Sequence, residues 1–170
     1  MRETERDTPI YRPGRNGEGR ALYDVTCSSV QTLQAGHYPD AQLKIWMDRR
    51  PPEWHEELIA TGSVIVAEVA ETVIGFVHTL PGEINRLFIR PGYAGSGIGR
   101  QLLLAGIKSA RIGYTGPIHL ASSLNAVPFY EHFGFRILER GYFPPDVADG
   151  KAELVKMILD VESVGKVPSN

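Results

Sequence analysis

Residues 90–103, RPGYAGSGIGRQLL, place Gly92, Gly95, Gly97 and Gly99 directly ahead of an apolar run at helical spacing. Glycine reaches positive φ freely and leaves the backbone amides uncovered, so this loop is a candidate anion cradle. Leu103, Ile107 and Ala110 recur at i, i+4 and i+7, with Leu102, Leu104 and Ala105 widening the stripe. That pattern predicts an amphipathic helix over about 97–111. Its first turn would aim unpaired N–H groups and the positive end of the helix dipole at a phosphate or pyrophosphate. Two common phosphate loops do not fit. A P-loop needs Lys and Ser or Thr after its last glycine, and Gly99 is followed by Arg100 and Gln101. A dinucleotide GxGxxG begun at Gly95 would need glycine at 100, and its acidic ribose partner would fall on Gly116-Pro117-Ile118.

The remaining chemistry-bearing residues exclude more than they suggest. His37, His55, His78, His119 and His132 show no HxxxH or HExxH spacing, so no metal site is expected. Cys27 is the single cysteine, which rules out an internal disulfide and a CxxC site; inside a predicted helix it reads as a small core residue. A net charge of −2 offers no surplus for gripping a nucleic-acid backbone, and no nucleic-acid partner is expected. MRETERDT is charged and no apolar run approaches the ~20 residues of a membrane span, so no membrane partner and a cytoplasmic location are expected. With 170 residues, 42% hydrophobic and 22% charged, the chain suits one globular domain over 1–170, with residues 1–8 frayed.

The elements that must position the loop follow from periodicity and punctuation. A short strand is predicted at 10–12, a helix over about 18–34, and two helices near 39–47 and 51–61, each preceded by a proline. Three strands of a meander, about 63–69, 73–80 and 83–90, are separated by Ala70-Glu71-Thr72 and Pro81-Gly82. After the glycine loop and its helix come a strand near 118–121 and a helix capped by Asn125 and stopped by Gly134. Strands at about 135–142 and 153–159 flank the turn-rich FPPDVADG. The order predicts an α/β (α+β) protein: a mixed, mostly antiparallel sheet of about six to seven strands with helices on both faces.

LFIRPGYAGSGIGRQLL followed by LNAVPFYEHFGF resembles the GNAT acyl-CoA N-acyltransferase superfamily, over about Val64 to Phe135. The first block resembles the family's R/Q-x-x-G-x-G/A loop, which wraps the coenzyme A pyrophosphate, with Gly97 and Gly99 at the two small positions. The second, Asn125, Phe129-Tyr130 and Gly134-Phe135, resembles its other signature. Ala94 departs from the pattern, standing where the family has Arg or Gln. The resemblance implies a GNAT fold, acetyl-CoA as co-substrate and a primary amine, small molecule or peptide, as acceptor; it admits a homodimer. A non-catalytic acyl-CoA-sensing module on the same fold is the alternative.

The resemblance also distributes roles. Leu87, Phe88 and Ile89 would bind the pantetheine arm through their main chain, with a backbone N–H from this segment meeting the oxyanion. Ala94, Gly95, Ser96, Gly97, Ile98, Gly99 and Arg100 would hold the pyrophosphate, with Asn125 and Tyr130 also touching the coenzyme. Arg86, Arg90, Arg100, Lys108 and Arg111 are candidate phosphate cations. Tyr130 would be the acid for the coenzyme thiolate. Glu83 is the first choice of base, with His78, His37 and a water chain as rivals. Tyr38, Trp46 and His78 are candidates for the acceptor pocket. Asp40, Asp48, Glu53, Glu56 and Glu57 make the neighbouring stretch acidic, which favours a cationic acceptor.

Overall fold

Runs of β-branched and aromatic residues between tight turns build the sheet. Its strands are β1 (Ile10–Pro13), β2 (Val64–Val69), β3 (Thr72–Leu80), β4 (Glu83–Ile89), β5 (Ile118–Ser122), β6 (Arg136–Phe143) and β7 (Ala152–Leu159). The structure, a computed structural model, describes residues 8–33, 36–143, 152–160 and 162. Residues 1–7 of the expected frayed segment 1–8, and most of FPPDVADG, lie outside the described residues. One sheet runs in the order β1-β2-β3-β4-β5-β7-β6, with every neighbouring pair antiparallel except β4 and β5.

The helices are α1 (Gly19–Leu33), α2 (Asp40–Asp48), α3 (Pro52–Ala60), α4 (Ile98–Ala110) and α5 (Val127–His132). Apolar stripes divide them between the two faces. Leu22 and Val25 of α1 and Ile59 of α3 pack on Val64, Val66, Val73 and Phe76. Leu102, Leu103 and Ile107 of α4 pack on Val77, Ile84 and Ile118 from the other side, where Val127 and Tyr130 of α5 join them. The Glu56 carboxylate accepts from the Gly17 and Gly19 amides at 2.6 and 2.7 Å, so α3 caps the start of α1.

The predicted boundaries hold within about two residues except around Asn125. Leu124–Ala126 form a 3₁₀ turn, Ala126 is the N-cap of α5, and no side chain caps it. Asn125 lies inside that turn, one residue before the N-cap, and Pro128 removes one of the two amides, N2 and N3, that a cap at 125 could bind.

Two further details aim the functional segment. Arg86 pairs with His78 and Ile84 with Thr79, which leaves Asn85 as an extra residue, a β-bulge in β4. The bulge reverses which face the following side chains take. Ile84, Leu87 and Ile89 therefore pack towards α4, whereas Phe88 packs with the α1–α3 side. The second detail is the closeness of α4. A Cβ on Gly106 would sit 2.8 Å from Val77 Cγ2, and one on Gly99 would sit 2.7 Å from Ile89 Cδ1, so glycine lets this helix press on β3 and β4. Gly106→Ala is expected to cost about 1–3 kcal/mol of unfolding free energy through overpacking, measured by urea denaturation. An unchanged midpoint would show that the helix backs off freely.

Candidate active site

β4 and β5 stay paired only at Glu83↔His119 and Ile84↔Leu120, then diverge. From Asn85 to Ile89, one edge of β4 borders a cleft of about 560 Å³ instead of a neighbouring strand. The cleft passes through the sheet at the divergence. Glu83 to Ile89 run along it; Ala94, Gly95, Gly97, Gly99 and Arg100 line it on the α4 side; Ser29, Leu33, Trp46 and Arg50 line it on the α1–α2 side.

Left-handed φ angles of +78° at Gly95 and +88° at Gly97 turn the loop, a region that favours glycine. Cβ atoms built on either glycine would meet nothing within 4 Å, so the concave side of the loop is open. Gly97 is the N-cap of α4 and no side chain caps that helix. Among the described residues the amides of Gly95, Gly97, Ile98 and Gly99 have no hydrogen-bond acceptor. Beyond the loop, Asn125, Phe129 and Tyr130 close the wall, and the buried Asn125 Oδ1 has no partner among the described residues. Ser96 and Ile98 are not on the wall: Ser96 Oγ donates to the Tyr93 carbonyl, and Ile98 is core. Of the candidate phosphate cations, Arg100 lines the cleft beside the loop, Arg90 Nε donates to the Val73 carbonyl, and Lys108 and Arg111 are exposed away from the cleft.

Tyr130 is buried, and burial raises its hydroxyl above the ordinary range, so it keeps its proton. Glu83 sits in a chain of side chains. Asn85 Nδ2 donates to Glu83 Oε1 at 3.0 Å, and Asn85 Oδ1 lies 3.0 Å from His78 Nδ1. With the Asn85 amide so oriented, His78 carries its proton on Nδ1 and donates. Its Nε2 is 3.3 Å from Thr61 Oγ1, so both ring nitrogens are engaged, and His78 lies behind the wall, not on it. His37 is exposed and also off the wall.

Trp46 lines the cleft, but Tyr38 does not. The Tyr38 hydroxyl donates to the Glu153 carbonyl at 2.8 Å and accepts from the Leu124 amide at 3.0 Å, a pin between separate parts of the fold. The acidic stretch also faces elsewhere: Asp40, Asp48, Glu53 and Glu57 are exposed, Glu56 caps α1, and none lines the cleft. The cleft wall on that side carries Arg50 and Arg86, with Glu83 on the same strand as Arg86. Asn85 and Arg50 escape sequence reading, because a bulge and a residue just past a helix leave no periodic signal. Among the described residues no group of three His, Cys, Asp or Glu could hold a metal ion, and no helix is long and apolar enough to cross a membrane.

A sheet parted at one parallel pair, with a glycine loop and helix N-terminus beside the gap, is the arrangement that the resemblance to acyl-CoA N-acyltransferases implies. Residues 60–137 match the acetyltransferase (GNAT) domain family. An uncharacterized N-acetyltransferase, YafP, of Escherichia coli K12 is 28% identical over 130 residues, covering 76% of this chain and 81% of its own. A GCN5-related N-acetyltransferase structure from Rhodopseudomonas palustris superposes with a TM-score of 0.81 at 21% identity, covering 90% of this chain and 96% of that one. PaiA N-acetyltransferase of Thermoplasma acidophilum, solved in complex with coenzyme A, gives a TM-score of 0.71 at 20% identity, covering 90% and 99%. Residues 60–137, just under half of the chain, carry the GNAT-domain match, and the chain shares the fold of these structures over nine-tenths of its length.

The buried histidine behind Glu83 has a measurable consequence. Burial, then the Arg86 charge, hold His78 below the ordinary histidine range, against the Asn85 hydrogen bond and the Glu83 charge. The unfolded chain therefore binds the proton first, so stability is complete above pH ~6.5 and declines as the pH falls below it. The melting temperature should drop between about pH 7.5 and 5.5, and His78→Gln should flatten part of that slope. A slope unaffected by the substitution would show that His78 is not held neutral.

Proposed function

We propose that the protein is an N-acetyltransferase that moves an acetyl group from acetyl-CoA to a primary amine by direct attack. The observation that carries this reading is the parted β4–β5 pair, which leaves one strand edge facing a cleft that ends at unpartnered loop amides. An extended pantetheine arm suits that edge as a further strand would. The loop amides and the α4 dipole suit the pyrophosphate, and the orphan Asn125 Oδ1 offers an acceptor alongside. Ala94 supplies no side-chain contact there, so the amides of Gly95 to Gly99, with Arg100 beside them, carry that end.

Acetyl-CoA supplies the reactive thioester; the chain handles protons and charge. Glu83, steadied by Asn85, accepts a proton from the ammonium or from a water between them, freeing the nitrogen lone pair. As nitrogen bonds to the carbonyl carbon, a backbone N–H in Leu87 to Ile89 receives the developing oxyanion. Tyr130 donates its proton to the departing sulfur, which leaves as a thiol. Cys27 takes no part: it packs against the Val30, Tyr38 and Trp46 cluster, off the cleft wall.

Binding and turnover test this reading separately. Acetyl-CoA at about 100 times its Kd should stabilise the fold by roughly 2.7 kcal/mol in thermal unfolding, with no shift from ATP or NAD. Gly97→Val should weaken that shift, because it forces a branched side chain into a left-handed position. Absence of an acetyl-CoA shift would sink the proposal. Thiol release over an amine panel reports turnover. Tyr130→Phe and Glu83→Gln should each lower kcat by roughly 10²-fold with the acetyl-CoA KM little changed. Unchanged turnover in either variant would remove that residue from its role and return the base to a water chain in the case of Glu83.

A further inference from the structure

The cleft wall on the α1–α3 side carries a pair of charges that acetyl transfer does not use. Arg50, two residues past α2, and Arg86, in the bulged part of β4, both line it. Both guanidinium groups lie over one indole, 5.7 and 5.5 Å from the Trp54 ring centroid. Arg86 Nη1 donates to the Asn85 carbonyl at 2.9 Å, while its buried Nε has no partner among the described residues. Neither arginine enters any ion pair among the described residues.

Two half-buried cations over one indole, without a counter-ion among the described residues, repel. Burial, then the Arg86 and Arg49 charges, pull Arg50 down to about 9, and burial lowers Arg86 as well. Glu83 acts on Arg86 in the opposite direction, but from beyond ion-pairing distance. An oxyanion between the guanidiniums would relieve both effects, and the planar fork of arginine suits a carboxylate or phosphonate. Leu33, Trp46, Phe88 and Leu154 give the wall around them an apolar stretch, beside Ser29. The pair lies across the sheet from the glycine loop, so it is separate from the loop amides that suit the coenzyme pyrophosphate.

We infer that the acceptor amine also carries a compact oxyanion, a carboxylate or a phosphate-type group, which Arg50 and Arg86 hold while its amine lies at Glu83. This rests on the N-acetyltransferase reading above. The acceptor class is then an amino acid or aminophosphonate with an apolar body, not a polycation. Specificity follows because an amine lacking the anion leaves both guanidiniums without a counter-ion.

Matched sets of acceptors test it, with the full chain and saturating acetyl-CoA. Each set contains a free apolar L-amino acid, its amide, the corresponding monoamine and the 1-aminoalkylphosphonate. The acid or the phosphonate should exceed its amide and monoamine in kcat/KM by about tenfold or more, and the better of the two anions identifies the source. Arg50→Gln and Arg86→Gln should each remove most of that preference by raising the acceptor KM, leaving the acetyl-CoA KM in place. Should Arg86→Gln fail to fold, Arg50→Gln and Arg50→Lys decide, the lysine retaining charge but losing the fork. Equal or better thiol release from amides and monoamines would overturn the inference and leave the N-acetyltransferase reading standing. A preference that survives the substitutions, or acetyl-CoA binding with turnover of no anionic amine, would overturn it too. Failure of acetyl-CoA to bind would instead strike the underlying reading, and this inference with it.

Discussion

After Ile84, β4 and β5 cease to exchange hydrogen bonds, although β4 runs on to Ile89 and β5 to Ser122. Backbone donors and acceptors inside a sheet normally pair with a neighbouring strand, and a gap there has to face solvent or a ligand. The whole site hangs on that gap. It opens the sheet from one face to the other, so groups on α1 and α2 and groups on α4 and α5 share one cleft. The extra residue at Asn85 then sets which β4 side chains look each way: Leu87 and Ile89 hold α4, while Phe88 and Arg86 border the N-terminal helices.

Two packing constraints keep the gap in shape. Glycines at 99 and 106 let α4 press on β3 and β4, which brings its uncapped N-terminus to the edge of the cleft. On the other face, the Glu56 carboxylate ties α3 to the start of α1, and the Tyr38 hydroxyl joins the Glu153 carbonyl to the Leu124 amide. Polar residues that look functional in the sequence thus serve as joints. The same economy applies to Asn85, which steadies Glu83 through one end of its amide and meets His78 through the other.

Elements with strong periodicity were legible from residues alone: the α4 stripe, the meander from 63 to 89 and the glycine loop all stand where the pattern places them, within about two residues. Legibility failed where a local rule met an exception. Asn125 has the right chemistry for a cap, yet a 3₁₀ turn moves the N-cap to Ala126, and its side chain lines the cleft instead. The acidic residues between 40 and 57 suggested a negative acceptor pocket, but periodicity does not say which face of a short helix meets a cavity, and the cavity meets Arg50 and Arg86.

By itself the sequence determined what depends on neighbours in the chain: glycines where left-handed φ is required, helix and strand periods, and the two motif blocks that carry the family resemblance. Only the tertiary structure decided which strands part, where the β4 bulge falls, and that two arginines of the cleft wall, 36 positions apart, share one indole. Those outcomes arise from pairing and packing between distant segments, where face and register depend on partners that no local pattern specifies.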